Sequence, residues 1–204
     1  MSSKSRLSDE EIAIARYATS ALLIVSGILA IVSVSMYWWL VTGTGVNTAY
    51  FPGASYRANG TFITYASAGF GPVGAIFEAV LVLAIVAGAL LIIGGALKVV
   101  STIRHREPHS LRLPGLAIAG VVLEGLAALI APAMVPWATK YSSAGSAYCG
   151  GWTVGSPCSS YWGSGFYGGV SLRFVAADGW IMMIGALAVG VLGLVVWYLG
   201  RNPA

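Results

Sequence analysis

The chain has 204 residues and a net charge of +4, with 9% charged side chains against 57% hydrophobic ones and a mean hydropathy of +0.82. Those figures exclude an ordinary soluble domain, and a basic excess this small and scattered is not a nucleic-acid footprint. The apolar residues gather into four long runs, 17–40, 73–97, 113–135 and 179–200, each reaching the roughly 20 residues that a helix needs to cross a bilayer.

In chain order, Ser8-Asp9-Glu10-Glu11 forms a capping box, which predicts a first helix that starts near Asp9, ahead of the first apolar run. No charged side chain lies between Arg16 and Arg57. The small-x-small pattern Ser33-Val34-Ser35 follows an apolar stretch too long for a cleaved signal, so an uncleaved signal-anchor is expected. The loop 41–72 contains Asn59-Gly60 between Ser55-Tyr56-Arg57-Ala58 and Thr61-Phe62-Ile63-Thr64-Tyr65, a two-residue hairpin signal. Asn59-Gly60-Thr61 is also a glycosylation sequon.

The second run carries Glu78 five residues after its start, and the third carries Glu124, roughly 15 Å along a helix from Pro114 and near mid-membrane. A carboxylate in hydrocarbon is costly, so each acid should face the bundle or a wet cavity, or hold a proton. Two readings follow. In one, Glu78 and Glu124 are proton or cation sites in a translocation path. In the preferred one, each is a protonated donor to a neighbouring helix. Small residues four apart supply close helix contacts: Ser26 and Ala30, Ala84 and Gly88, Ala127 and Ala131, Ala186 and Gly190. Between the second and third runs, His105-Arg106-Glu107-Pro108-His109 reads as a solvated basic turn rather than a metal site, because Pro108 breaks the helix and basic neighbours oppose a cation.

The loop 136–178 is rich in Gly, Ser and aromatic residues. Trp152, Tyr161, Trp162, Phe166 and Tyr167 are its candidate interaction residues, since rigid aromatics give contact area at little entropic cost. The same residues could instead pack on one another or line the membrane interface. Cys149 and Cys158, the only cysteines, read as one disulfide in preference to free thiols or half a zinc site.

Orientation comes from the basic residues. With the amino terminus inside, Lys4, Arg6, Arg16, Lys98, Arg104, Arg106, Arg112 and Arg201 are cytoplasmic, and only Arg57, Lys140 and Arg173 lie outside. The expected fold is therefore an all-α integral membrane protein of the cell membrane. It is one four-transmembrane-helix bundle with both termini cytoplasmic and two extracytoplasmic loops, which carry a small β-hairpin and one disulfide.

This layout resembles the four-span plan of claudins and tetraspanins across the whole chain as topology. Tyr148-Cys149-Gly150 and Pro157-Cys158 are similar to the second-loop cysteine pattern of tetraspanins, although the paired first cysteine is absent, and the first loop lacks the cysteines of a claudin. The resemblance implies adhesion, lateral assembly or sealing. No nucleophile-base-acid set, phosphate loop or zinc signature is evident, so neither an enzyme nor a cofactor or metal is expected. The expected partners are the lipid bilayer and either further copies of the chain or other membrane or extracellular proteins. The preferred function is a non-catalytic membrane protein that assembles through its outer loops at the cell surface. A small proton- or cation-coupled transporter and an accessory subunit of a larger membrane enzyme are the alternatives.

Overall fold

The computed structural model describes residues 9–103 and 112–201, with side chains described for 12–103 and 114–200. The capping serine Ser8 and the turn from His105 to His109 lie outside the described residues. Four helices are long and apolar enough to cross a membrane: α1 (Asp9–Ser33), α2 (Gly71–Ile103), α3 (Arg112–Lys140) and α5 (Asp178–Arg201). A short helix, α4 (Gly145–Gly150), follows α3. The large helices expose an apolar belt that includes Ile28, Val82, Val122, Leu129, Ile181 and Leu192. In water such a surface would aggregate, and in lipid it is the solvated state. Four such helices fit a multi-pass membrane protein.

The principal helix contacts are α1 with α2, α2 with α3 and α1 with α5; α3 meets α5 less extensively, and α1 and α3 are diagonal and barely touch. Small residues set the close approaches, as the spacing predicts. Ser26, Ala30, Ala84, Ala127, Ala131 and Ala186 are fully or almost fully buried. At the α1–α2 crossing, a Cβ added to Gly88 would stand 2.6 Å from the Gly27 carbonyl oxygen, so only glycine permits the approach.

The expectation of an all-α protein is corrected by a seven-stranded antiparallel sheet at one end of the bundle. Its strands are β1 (Trp39–Gly43), β2 (Val46–Tyr50), β3 (Ser55–Ala58), β4 (Thr61–Thr64), β5 (Trp152–Val154), β6 (Gly163–Tyr167) and β7 (Val170–Ala176), in the order β4-β3-β2-β1-β7-β6-β5. The expected hairpin is present as β3–β4, with Asn59 and Gly60 both at positive φ (46° and 92°), but it is only one edge of the sheet.

The bundle explains why two loops make one sheet. Helices α1 and α5 pack together, and β1 leaves the first while β7 enters the second, so the two strands emerge side by side and antiparallel. Backbone bonds lock the junction: Ala177 N–H donates to the Trp38 carbonyl and Gly179 N–H to that of Tyr37, each at 3.0 Å. The first apolar run reaches Leu40, yet α1 ends at Ser33. Its last residues serve the sheet: Trp38 and Trp39 are almost fully buried, and the Trp38 indole N–H turns back to donate to the Ser33 carbonyl at 2.9 Å.

Candidate interaction surface

Strand alternation divides the sheet into two chemically different faces. The inner face carries Trp39 and Val41 of β1, Tyr50 of β2, Tyr56 of β3, and Leu172 and Phe174 of β7, all buried. They form one continuous core with Tyr65, with Val73, Phe77 and Val80 of α2, and with Val135 and Ala138 of α3. Within it Trp39 stacks on Tyr161 with ring centroids 5.6 Å apart, and Tyr50 stacks on Tyr56 at 5.3 Å. The polar atoms of Trp39 and Tyr161 find partners, whereas the buried Trp152 indole N–H has none among the described residues. Trp39 Nε1–H donates to the Tyr161 carbonyl at 2.6 Å, and the Tyr161 hydroxyl donates to that of Trp38 at 2.9 Å. Burial pushes the Tyr50, Tyr65 and Tyr161 phenols above their usual range, because the phenolate would lose its hydration.

This core claims most of the aromatics that the sequence offers as interaction residues. Trp152 and Tyr161 are buried, and half-buried Tyr167 packs against Trp152 and Tyr148. Two glycines make the site for Trp152: a Cβ added at Gly165 would stand 2.8 Å from its ring, and one at Gly151 would meet Tyr167. Trp162 and Phe166 alone of the five candidates are exposed, at 54% and 48%.

The outer face includes Phe62, Arg57, Asn47, Leu40, Thr42, Arg173, Val175, Ser164 and Phe166, assigned by register. Phe62 and Val154 are exposed there at 64% and 66%. Residues 35–70 and 141–177 contain no Asp or Glu, so Arg57 and Arg173 give this face an unbalanced positive charge. Sequence reasoning did not select Phe62, Val154, Arg57 or Arg173. The alternation of Val170-Ser171-Leu172-Arg173-Phe174 after Gly168-Gly169, both at positive φ, is the signal that would have found the last of these.

The disulfide Cys149–Cys158 is present, with Cα atoms 6.0 Å apart, and ties α4 to the segment between β5 and β6. Asn59 is exposed, and its carboxamide is used in the sheet. Its Oδ1 accepts from Asn47 N–H at 2.8 Å and its Nδ2 donates to the Gly45 carbonyl at 3.3 Å, joining two hairpin turns.

The two membrane acids part company. Glu124 is wholly buried, with Ser26 Oγ at 2.9 and 3.1 Å from its two carboxyl oxygens and 2.8 Å from the Ala186 carbonyl of α5. This group crosses the diagonal where α1 and α3 otherwise scarcely meet. Ser26 has one proton to share among these three acceptors, so it serves one of them at a time. Gly190 makes room, since a Cβ there would lie 2.8 Å from Ser26 Oγ and 3.1 Å from Glu124 Oε2. Glu78 is exposed on α2, and the structure does not bring it to Glu124. At the rim of the cap, Asp178 opens α5 beside Tyr37, and its hydrogen bond and charge hold that phenol above the usual range.

Among the described residues no group of three or more His, Cys, Asp or Glu side chains is placed to hold a metal ion. Comparison with family models, with curated proteins and with solved structures finds no match to this chain.

Proposed function

We propose that this is a non-catalytic integral membrane protein that assembles with other proteins, or with copies of itself, through the outer face and distal edge of its sheet. In this reading both termini are cytoplasmic, the sheet is extracytoplasmic, and the protein works at the cell surface. The basic residues of the sequence support that orientation, because the eight assigned to the inner side outnumber Arg57, Lys140 and Arg173 on the sheet side.

One observation carries the reading: the sheet is welded to the bundle by a buried aromatic core, yet Val154, Trp162 and Phe166 remain exposed at its β5–β6 end. A rigid scaffold that holds exposed aromatics in place pays little ordering entropy on binding. The translocation reading of Glu124 is weakened by its complete burial against Ser26 and Ala186, which gives it a bundle-pinning role.

Mild-detergent purification followed by cross-linking and identification of the attached chains tests the proposal. The intact protein should carry a partner or a second copy. A Trp162→Ala, Phe166→Ser double variant should insert and fold but run alone. An unassembled parent protein in both detergent and native membrane would reject the reading, and attachment to a cofactor-bearing enzyme would assign the accessory role instead.

A further inference from the structure

A cavity of about 590 Å³ opens at the base of the outer sheet face, on the β1–β3 side and away from Trp162 and Phe166. It is half open to its surroundings, a groove able to seat part of a larger molecule. The lining divides by chemistry. Met36, Leu40, Ala49 and Phe51 form an apolar part, and Thr42, Asn47 and Arg57 a polar one.

Arg57 is oriented within this site. Its Nε–H donates to the Gly60 carbonyl at 3.2 Å, and its guanidinium carbon lies 5.7 Å from the Phe62 ring centroid. No protein acceptor is recorded for its terminal amino groups among the described residues. Those groups present the fork that binds phosphate oxygens in pairs.

The level of the cavity in the fold selects the source of the phosphate. Its floor, Ser35-Met36-Tyr37, begins two residues beyond the last residue of α1, Ser33. Arg57 pairs with Ala49, which pairs with Leu40, two residues beyond the Trp38 that bonds back to Ser33. Two strand residues rise roughly 7 Å. The headgroup layer on each side of the hydrocarbon is about 5–8 Å thick. Arg57 thus stands at phosphate height, with Leu40 and Ala49 level with it and Met36 and Phe51 toward the acyl side.

Charge narrows the class further. Asp178 engages Tyr37 at the floor, and the loops contribute no other carboxylate to balance Arg57 and Arg173. A headgroup with a fixed ammonium would bring a cation to a face already positive, whereas an anionic headgroup would not.

We propose that this cavity is a binding site for one anionic phospholipid, with its phosphate on Arg57, Asn47 and Thr42 and its glycerol and upper acyl carbons against Met36, Leu40 and Phe51. The site is independent of the partner surface, so the Trp162→Ala, Phe166→Ser variant keeps its lipid whether or not the assembly reading stands.

The test is native mass spectrometry of the full chain released from nanodiscs of equimolar phosphatidylglycerol and phosphatidylcholine. The parent protein should retain one phosphatidylglycerol in preference to phosphatidylcholine. Arg57→Gln should lower that retention about tenfold, the scale of one lost charged hydrogen-bonding partner. Arg57→Lys should restore part of it, and Thr42→Val, which preserves shape, should give a smaller loss. Arg173→Gln, on the same face but outside the cavity, should change retention less than about twofold, as a screened surface charge does. Near-ultraviolet circular dichroism and an intact disulfide certify each variant's fold. Should Arg57→Gln unfold, Thr42→Val decides the matter. Equal retention of the two lipids, an equal loss in Arg173→Gln, or full retention in Thr42→Val with Arg57→Gln uninformative would overturn the site. Displacement by millimolar glycerol phosphate, leaving no lipid preference, would identify a free phosphate ester as the ligand and overturn the lipid assignment.

Discussion

The bundle and the sheet cap are packed by opposite means. Inside the bundle, α1 and α2 meet at Gly27 and Gly88, alanines line the contacts, and the polar group Ser26–Glu124–Ala186 spans the centre. Under the cap the contacts are made by large rings: Trp38, Trp39, Tyr50, Tyr56, Tyr65, Tyr161 and Phe174. Lipid tails are as apolar as leucine, so helices in a bilayer gain from close backbone approach and hydrogen bonds rather than from burying large apolar groups. The cap has water on one side, and there each buried aromatic removes a large area from solvent. One chain thus uses two packing rules, divided near Ser33.

Variants that violate one rule and spare the other should separate the regions. Trp39→Ala empties the middle of the aromatic stack and should cost the cap about 3–5 kcal/mol. Near-ultraviolet circular dichroism should lose its aromatic signal while far-ultraviolet helicity persists; a parallel loss of helix would refute the division.

Alkali should also act on the cap. Tyr50, Tyr65 and Tyr161 have folded pKa values above the unfolded phenol value, so the stability tied to their neutral forms is complete below about pH 10 and is lost as pH rises through the folded values. Each such phenol should cost about 1.4 kcal/mol per pH unit above 10 until it titrates in the folded state. Tyrosinate absorbance at 295 nm should rise in step with loss of the sheet, and early, independent titration of all the phenols would contradict this.

Reduction of Cys149–Cys158 opens a short ring in a glycine-rich segment and should lower cap stability by about 2–3 kcal/mol, with the bundle unaffected. Limited proteolysis between residues 145 and 165 with and without reductant measures it, and equal protection in both would count against the role.

Gly88→Leu drives a side chain into the Gly27 backbone and should destabilise the α1–α2 contact by about 1–3 kcal/mol, read from unfolding in graded denaturing detergent, while the cap spectrum is retained. The smallest effect belongs to Ser26→Ala, which deprives Glu124 of its partner across the diagonal. It should cost about 1 kcal/mol by the same measurement. An unchanged transition would mean that the carboxyl finds another partner inside the bundle.

Several features were readable from local pattern. Apolar length marks the four helices, Asn59-Gly60 marks a hairpin, and the small-residue pairs prove to be buried. The candidate surface was read less well. Trp152 and Tyr161 look like exposed loop aromatics in a glycine-rich sequence, but Gly165 and the inner sheet face make pockets for them. Glu78 and Glu124 look alike as isolated acids in apolar runs, and the helices give them opposite fates, exposed and sealed.

Composition was enough for the four long apolar helices, because the cost of placing charge in hydrocarbon acts on each residue wherever its neighbours lie. The merging of two loops into one sheet, the inward or outward aim of each aromatic, and the meeting of Ser26, Glu124 and Ala186 came from folding. These depend on pairing β1 with β7 and α1 with α5, between segments more than a hundred residues apart. No local pattern records a partner at that distance, and a strand's register alone decides which of its side chains meet water.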